Sequence, residues 1–401
     1  MNTIEEVLEF VEEEDVKFIK LAFFDIFGHQ KNISIPPEEL YKAFKEGISF
    51  DGSAVTGFND EVKSDLFLHP DPKTVRVLPW RSLNGLVISM YCDIRYPDET
   101  PYEKDSRYIL KQAIERAKRL GITVDFGTEY EFYLFKLDEQ GNNTNIPLDR
   151  AGYMDIAPDD QGEDVRKEIC MTLRDMNIQP EASHHEEGPG QNEIDFRYSH
   201  ALEAADNAST FKWVVKTVAK ANGLYADFSP KPLKQEAGNG MHINLSIESD
   251  DGKDHLFSFM AGIMSHIEEM TLFLNTEEAS YERFGKRKAP KYVTWSKQNR
   301  SQLIRIPATK NGRTRLELRS PDPLCNQYIA YALIIHAGMD GIEKNMQPDP
   351  PVDENLFQVK DDVTIGLRRL PSSLKKASLM ADDSQFISEI LPRSIIESYQ
   401  R

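Results

Sequence analysis

The sequence contains little cysteine, with only 3 in 401 residues. Cys92, Cys170 and Cys325 are odd in number and form no CxxC pair, so we interpret them as reduced thiols of a reducing compartment. The start, MNTIEEVLEFVEEEDV, lacks a basic region followed by an apolar core, so we expect no secretory signal. Together these features predict a cytoplasmic protein.

The sequence also lacks a net positive charge, because its 48 Lys and Arg are outnumbered by 66 Asp and Glu, which gives a net charge of -18. Binding to nucleic acid or anionic lipid needs basic surface, so neither partner is expected. The longest nearly apolar run, from Ile329 to Met339, is too short to cross a bilayer and predicts a buried helix.

Several common nucleotide and hydrolase motifs are missing. The chain has no GxxxxGKS/T loop, no GxGxxG after a strand and no GxSxG elbow. If the protein uses ATP, it must therefore hold it by another arrangement.

The length fits two or three domains. Prolines punctuate residues 70–101, and a helix is predicted from Asp105 or Ser106 to Gly121. We place a boundary there, which gives a small strand-rich domain over residues 1–102 and a larger α+β domain over residues 103–401.

Four short strands in the larger domain alternate polar and apolar residues: residues 128–132, 193–197, 242–246 and 315–319, with Arg313 extending the last row. Side chains alternate across a strand, so each polar set lies on one face of a sheet. A solvated face is the commonest cause of such alternation. These four faces carry no lysine, however, and are built from residues such as Glu, His, Asn, Ser and Arg, which favours a functional face.

Electrostatics indicates a metal site on that face. Glu129 and Glu131 are two residues apart, so their carboxylates lie about 7 Å apart and repel by about 2.4 kcal/mol at an effective dielectric of about 20. If Glu186, Glu193 and Glu317 converge with them, a cation is needed to offset the repulsion. Carboxylates with one histidine suit Mg2+ or Mn2+ better than zinc. Nearby arginines suit phosphate and carboxylate groups.

Five ordered blocks carry a family resemblance: FDGSAVTGF at 50–58, FGTEYEF at 126–132, HHEEGPGQNEIDF at 184–196, AGNGMHINLS at 237–246, and NRSQLIRIP with RLELRSPDP at 299–307 and 315–323. Through them, residues 16–345 resemble the glutamine synthetase family, in its bacterial type I form. The resemblance implies an α+β fold, with a small β-grasp-like N-terminal domain and a larger catalytic domain built on a curved antiparallel sheet with helices.

The resemblance also implies a homo-oligomer, in which neighbouring subunits of a hexameric ring share active sites and two rings usually stack to a dodecamer. The family's last helix ties the rings together. It has no evident counterpart before Arg401, which favours a single hexameric ring and leaves stacking to a dodecamer as the alternative.

The resemblance assigns two or three Mg2+ or Mn2+ ions to each site, with ATP as co-substrate. One metal would be bound by Glu131, Glu186 and Glu193, and a second by Glu129, His242 and Glu317. Phosphate or nucleotide contacts fall to Arg300, Arg305 and Arg315, and to Asn244 and Ser246, for which capping or sheet hydrogen bonds are an equal alternative. Glutamate contacts fall to Gly238, Arg283 and Arg319, and ammonium-site roles to Asp51 of a neighbouring subunit, Tyr153 and Glu186. His184 and His185 could be core histidines, with His185 the candidate for lining the site.

Three positions depart from the family pattern. Lys288 occupies the place of a flap glutamate that shields the intermediate and helps bind ammonium, and a lysine there places like charge beside that ion. Ala54 replaces a serine near the same site, and Ala237 replaces an asparagine that contacts glutamate.

The implied reaction joins glutamate and ammonia at the expense of ATP, through γ-glutamyl phosphate. The three departures keep an alternative open, a sister ligase that joins glutamate to another amine such as a polyamine. A non-catalytic homologue with a structural or regulatory role is the third hypothesis. The complete set of metal-ligand types and phosphate arginines argues against it.

Overall fold

The computed structural model describes residues 1–58, 62–81, 85–309 and 314–400. Arg313, part of the polar row noted above, lies outside these ranges. The helices, in chain order, are α1 (Ile4–Glu13), α2 (Leu40–Glu46), α3 (Ser106–Arg119), α4 (Glu163–Asp175), α5 (Ala201–Ala221), α6 (Leu256–Leu274), α7 (Glu278–Tyr281), α8 (Gln327–Glu343), α9 (Leu374–Asp382), α10 (Gln385–Ile390) and α11 (Arg393–Tyr399).

The N-terminal part of the chain forms one sheet. Its strands are β1 (Phe18–Phe24), β2 (Gln30–Ile35), β3 (Ile48–Asp51), β4 (Asp65–Pro70), β5 (Arg76–Val77) and β6 (Val87–Arg95). Their order is β2-β1-β6-β4-β3, with β5 pairing with β6. β1 and β6 are parallel, and the other strand pairs of this sheet within the described residues are antiparallel. This arrangement matches the predicted strand-rich N-terminal domain.

A second sheet occupies the rest of the chain. Its strands are β7 (Ile122–Leu137), β8 (Asn143–Pro147), β9 (Pro180–His185), β10 (Gln191–Phe196), β11 (Ser199–His200), β12 (Leu224–Asp227), β13 (Met241–Ser249), β14 (Trp295–Lys297), β15 (Ile304–Ile306) and β16 (Leu316–Leu318). Their order is β14-β15-β16-β13-β7-β10-β9, and β8, β11 and β12 also pair with the 16-residue β7. The pairing is antiparallel except between β14 and β15.

Buried helices pack beside this sheet. Residues Ile329 to Ile335 of α8 are fully buried, which confirms the helix predicted from the apolar run. The predicted helix after Asp105 is also confirmed, because Asp105 caps α3 by accepting a hydrogen bond from the Arg107 amide at 3.0 Å. None of the helices described here has both the length and the apolarity needed to cross a membrane.

A buried ion network joins the first sheet to helices α3 and α5 through Arg107 of α3. Its guanidinium lies 2.7 Å from Asp93 of β6, 2.8 Å from Asp71, which follows β4, and 3.0 Å from Asp206 of α5. We expect Arg107→Ala to lower the free energy of unfolding by about 3–5 kcal/mol, because it leaves the buried Asp206 carboxylate without its ion-pair partner. Urea denaturation at fixed protein concentration measures the change.

Lys111→Ala is the matched control. Lys111 binds the same Asp93 at 2.6 Å, but its side chain is 31% exposed, so its removal should cost about 1 kcal/mol or less. Equal losses for the two variants would contradict the proposed importance of the Arg107 network.

Candidate active site

Polar side chains from four strands meet on one face of the second sheet. The register pairs His242 of β13 with Glu129 of β7, and Glu193 of β10 with Glu131 of β7. Glu317 of β16 is paired with Asn244 of β13. The period-two pattern therefore places these side chains as the sequence predicted, around a pocket of about 730 Å³.

Most of the predicted site residues line this pocket: Glu129, Glu131, Tyr153, Glu186, Glu193, Gly238, His242, Arg283, Arg300, Arg305, Arg315 and Arg319. Glu317 is completely buried just behind the wall. Asp51 is exposed on the N-terminal sheet, and it is not among the described residues that line the pocket of its own chain.

The first group of possible metal ligands is Glu129, His242 and Glu317, whose ligand atoms lie within 4.8 Å of one another. His242 Nδ1 is 3.1 Å from Glu129 Oε2 and 3.8 Å from Glu317 Oε1. Burial alone would raise the pKa of Glu129, but hydrogen bonds with His242 and Asn244 outweigh it and lower the pKa to about 2. Glu317 also forms ion pairs with Arg305 and Arg319.

The second group centres on Glu193. Its ligand atoms group with those of Glu131 and His242 on one side, and with those of His184 and Glu186 on the other. Burial, with added repulsion from Glu193 and Glu186, raises the pKa of Glu131 to about 8. This crowding of carboxylates is the situation that a bound cation relieves. The oxygen-rich donor set fits a hard divalent ion such as Mg2+ or Mn2+.

Asp195, which the sequence analysis did not single out, adds a further carboxylate to this face. Burial, together with the charges of Glu193 and Glu129, raises its pKa to about 9. Its Oδ1 atom is buried and has no hydrogen-bond partner among the described residues.

Asn244 and Ser246 are not among the described residues that line the pocket. The buried Asn244 amide instead donates a hydrogen bond to Glu129 Oε1 at 2.8 Å. This is the hydrogen bond within the sheet that the sequence left open as the alternative to a nucleotide contact. Ser246 is two residues further along β13, opposite Asp125. Asn244 therefore orients a ligand-type carboxylate.

We expect Asn244→Ala to weaken binding of Mg2+ or Mn2+ by about 10- to 100-fold, because ligand orientation by a neighbouring hydrogen bond is commonly worth that much. Calorimetric titration with Mn2+ measures the affinity. Ser246→Ala, on the same strand, is the control and should change it little. An unchanged affinity in Asn244→Ala would show that this hydrogen bond does not matter for metal binding.

Comparison with known proteins identifies the family. Residues 15–97 match the family model described as the beta-Grasp domain of glutamine synthetase, and residues 103–401 match the model of its catalytic domain. The chain belongs to the glutamine synthetase family.

Individual relatives of known family also support membership of the glutamine synthetase family. The glutamine synthetase of Methanosarcina mazei is 44% identical over 414 aligned residues, which cover 99% of this chain and 92% of the relative. The one from Clostridium saccharobutylicum is 40% identical, with 99% and 93% covered. The cryoEM structure of Plasmodium falciparum glutamine synthetase superposes with a TM-score of 0.89 over 100% of this chain and 95% of that one. At 24% identity it supports the fold alone. The predicted family and its α+β fold with a β-grasp domain are confirmed.

The two histidines of the glutamine synthetase block at 184–196 have opposite environments. His184 faces Glu193 across the β9–β10 pair, with Nε2 3.2 Å from Glu193 Oε1, and its ring is 5.4 Å from that of Tyr153. His185 is completely buried, with Nε2 2.9 Å from Asp149. The interpretation of His185 as the histidine that lines the site is therefore wrong, because strand alternation turns it away from the pocket.

The positions that depart from the glutamine synthetase pattern have different surroundings. Ala237 lines the pocket, and its carbonyl accepts a hydrogen bond from the Tyr133 hydroxyl at 2.7 Å. Ala54 is exposed at the end of a short turn in the N-terminal domain. Lys288 lines the pocket and forms an ion pair with Glu187. The ion pair of Lys288 was not predictable from the sequence, because Glu187 lies in the turn between β9 and β10, which has no strand alternation.

Proposed function

We propose that this protein is a glutamine synthetase, which joins ammonia to the γ-carboxylate of glutamate with ATP through γ-glutamyl phosphate, releasing ADP and phosphate. The observation that carries the proposal is one pocket at which two carboxylate–histidine groups meet six arginines. The curated glutamine synthetases at 40–44% identity over 99% of this chain support the same activity.

The proposal includes two divalent cations, Mg2+ or Mn2+, and allows a third. Glu131, Glu186 and Glu193 would hold one, and Glu129, His242 and Glu317 the other. Bound there, the cations would offset the repulsion among the carboxylates and stabilise the negative charge of the transferred phosphoryl group.

The arginines supply the remaining positive charge. The Nε atoms of Arg315 and Arg319 are buried and have no hydrogen-bond partner in the described part of the chain, so both guanidinium groups can donate to an anion. We assign Arg300, Arg305 and Arg315 to the phosphates of ATP. Arg283 and Arg319, with Gly238, are assigned to glutamate.

The amine must arrive beside the γ-carboxylate of glutamate. Glu186 and Tyr153 line the same part of the pocket as His184, so a cation there meets a carboxylate and an aromatic face. We propose that Glu186, through the carboxylate oxygen that does not bind metal, and Asp51 of a neighbouring subunit attract ammonium, which must lose a proton before its nitrogen can attack.

We further propose that the two domains divide at residues 102 and 103. In support, the last strand of the first sheet ends at Arg95 and the first strand of the second sheet begins at Ile122. A cytoplasmic location is part of the proposal, and three free cysteines favour it.

The protein is proposed to form a hexameric ring with shared sites. Asp51 ends β3, where its carboxylate accepts hydrogen bonds from the Ser53 amide at 2.9 Å and hydroxyl at 2.6 Å. An exposed carboxylate held in this way on the N-terminal sheet can be presented to the pocket of another subunit.

A subunit-mixing experiment tests this assembly. We expect Asp51→Ala and Glu317→Gln each to be inactive, and co-expression of the two to recover up to about a quarter of wild-type activity, since that share of randomly mixed interfaces pairs two intact halves. Each variant co-expressed with itself is the control, and light scattering gives the mass of the mixed ring. Complete inactivity of mixed rings would contradict shared sites.

The overall function is tested by phosphate release with ATP and glutamate, against a panel of ammonium, alkylamines and polyamines. Ammonium should be the preferred amine, with glutamine as the product by mass spectrometry. Preference for a larger amine would replace the proposal with the sister-ligase activity. Absence of turnover with every amine would favour the non-catalytic hypothesis.

A further inference from the structure

Lys288 brings a positive charge to the wall of the proposed amine site. Its Nζ atom lies 5.0 Å from the centre of the Tyr153 ring, and Tyr153 packs against His184 at 5.4 Å between ring centres. Lys288 and Tyr153 both line the pocket that contains Glu186. A lysine ammonium in this position would oppose the entry of a cationic substrate.

Glu187 lies beside Lys288 and carries the opposite charge. The two side chains form an ion pair, in which Lys288 is 45% exposed and Glu187 is 28% exposed. The amide of Glu187 donates to Glu186 Oε2 at 2.9 Å, so the pair is directly connected to the carboxylate assigned to ammonium. Seen from the amine site, the positive charge of Lys288 is therefore offset by an adjacent negative one.

The backbone holds Lys288 in this place. Arg287 and Lys288 both have positive φ angles, 46° and 68°, which side-chain-bearing residues seldom adopt in succession. Contacts on both sides maintain this turn. The Arg287 guanidinium donates to the Gln235 carbonyl at 3.2 Å, and Arg319 donates to the Lys288 carbonyl at 3.4 Å. These contacts fix the backbone position from which the Lys288 side chain reaches the wall of the pocket.

We propose that Glu187 determines the affinity for ammonium by neutralising Lys288 at the wall of the pocket. The inference rests on the proposed function, since it concerns the amine of that reaction. Glu187 is thus a positioning and specificity-determining residue, acting through Lys288.

A double-mutant cycle tests the coupling. Glu187→Gln removes the negative charge with little change of shape and leaves Lys288 uncompensated. We expect it to raise the KM for ammonium by about tenfold. An unscreened lysine about 5 Å away would cost more than about a hundredfold, and the partial exposure of the pair reduces the effect. The KM for ATP should change less than about twofold, because the pair lies at the amine site.

The second arm removes the lysine as well. In the double variant that combines Glu187→Gln and Lys288→Gln, the KM for ammonium should return to within about threefold of the wild-type value, because the uncompensated positive charge of Lys288 has been removed. Lys286→Gln is the matched control. It removes one positive charge from the same loop, residues 286–288, at a residue that forms no ion pair with Glu187 in the described part of the chain. Lys286→Gln should therefore not rescue Glu187→Gln.

The outcomes separate this inference from the proposed function. A wild type that makes glutamine while Glu187→Gln has no effect, or an effect that persists in the double variant, overturns the role of Glu187 alone. Equal rises in the KM for ammonium and ATP, together with a lower melting temperature, also overturn it, because they indicate a structural role. A wild type that releases no phosphate with ammonium overturns both.

Discussion

Glu317→Gln should abolish the synthesis of glutamine while leaving the protein folded. Glu317 is completely buried and contacts His242, Arg305 and Arg319. Its negative charge therefore interacts with one proposed metal ligand and with two arginines. The substituted glutamine side chain keeps the shape of Glu317 but lacks its negative charge. We expect kcat to fall by roughly a thousandfold or more, because one preorganised electrostatic contact to a reacting centre is commonly worth about that much.

Circular dichroism and steady-state kinetics together check this result. His242→Asn should be similarly impaired, and combining the two changes should add little, since groups that act as one unit give non-additive losses. Glu203→Gln, at an exposed glutamate of α5, is the control and should be nearly neutral. Mild and additive losses would instead indicate an ordinary polar sheet face. Glu317→Ala is a poorer test, because it leaves two arginines unpaired and would destabilise the fold itself.

Removal of divalent cations should eliminate ATP-dependent phosphate release and lower the melting temperature by several degrees. The raised pKa values of Glu131 and Asp195 reflect crowded, buried carboxylates that a cation would stabilise. An ion present at 100 times its dissociation constant adds about 2.7 kcal/mol to the folded state. Calorimetry and a phosphate assay in chelator, followed by readdition of Mg2+ or Mn2+, measure both effects.

The matched control is Glu317→Gln, in which one proposed ion site is weakened. Its melting temperature should respond less to chelator than that of the wild type. Full turnover in chelator, with an unchanged melting temperature, would contradict the assignment of metal to these residues.

The face of the sheet was predictable from the sequence because strand alternation is a local property. Glu129 and Glu131 had to share a face, as did His242 and Asn244, whatever the rest of the chain did. Glycine, proline and capping residues likewise located α3, and an apolar run located α8. These features need no knowledge of which strands are neighbours.

Features that depend on register or on turns were not predictable in this way. His184 lines the pocket because it lies opposite Glu193, and that pairing is visible only once β9 and β10 are aligned. Asn244 shares a face with His242, but only the packing shows that it donates to Glu129. Glu187 meets Lys288 across a gap of about a hundred residues, which no periodic pattern in the sequence describes.

The long strand β7 has a consequence for how the protein is made. The hydrogen-bond partner of Glu129 is His242, 113 residues later in the chain. The arginines that neutralise Glu317 lie later still, Arg305 in β15 and Arg319 directly after β16. During synthesis, the N-terminal sheet can close early, whereas the acidic cluster has no completed form until β16 has left the ribosome. The full set of possible metal ligands is therefore available only after most of the domain has been synthesised. A chain that terminates before β16 would carry Glu129, Glu131, Glu186 and Glu193 without Glu317 and Arg319, which complete the cluster.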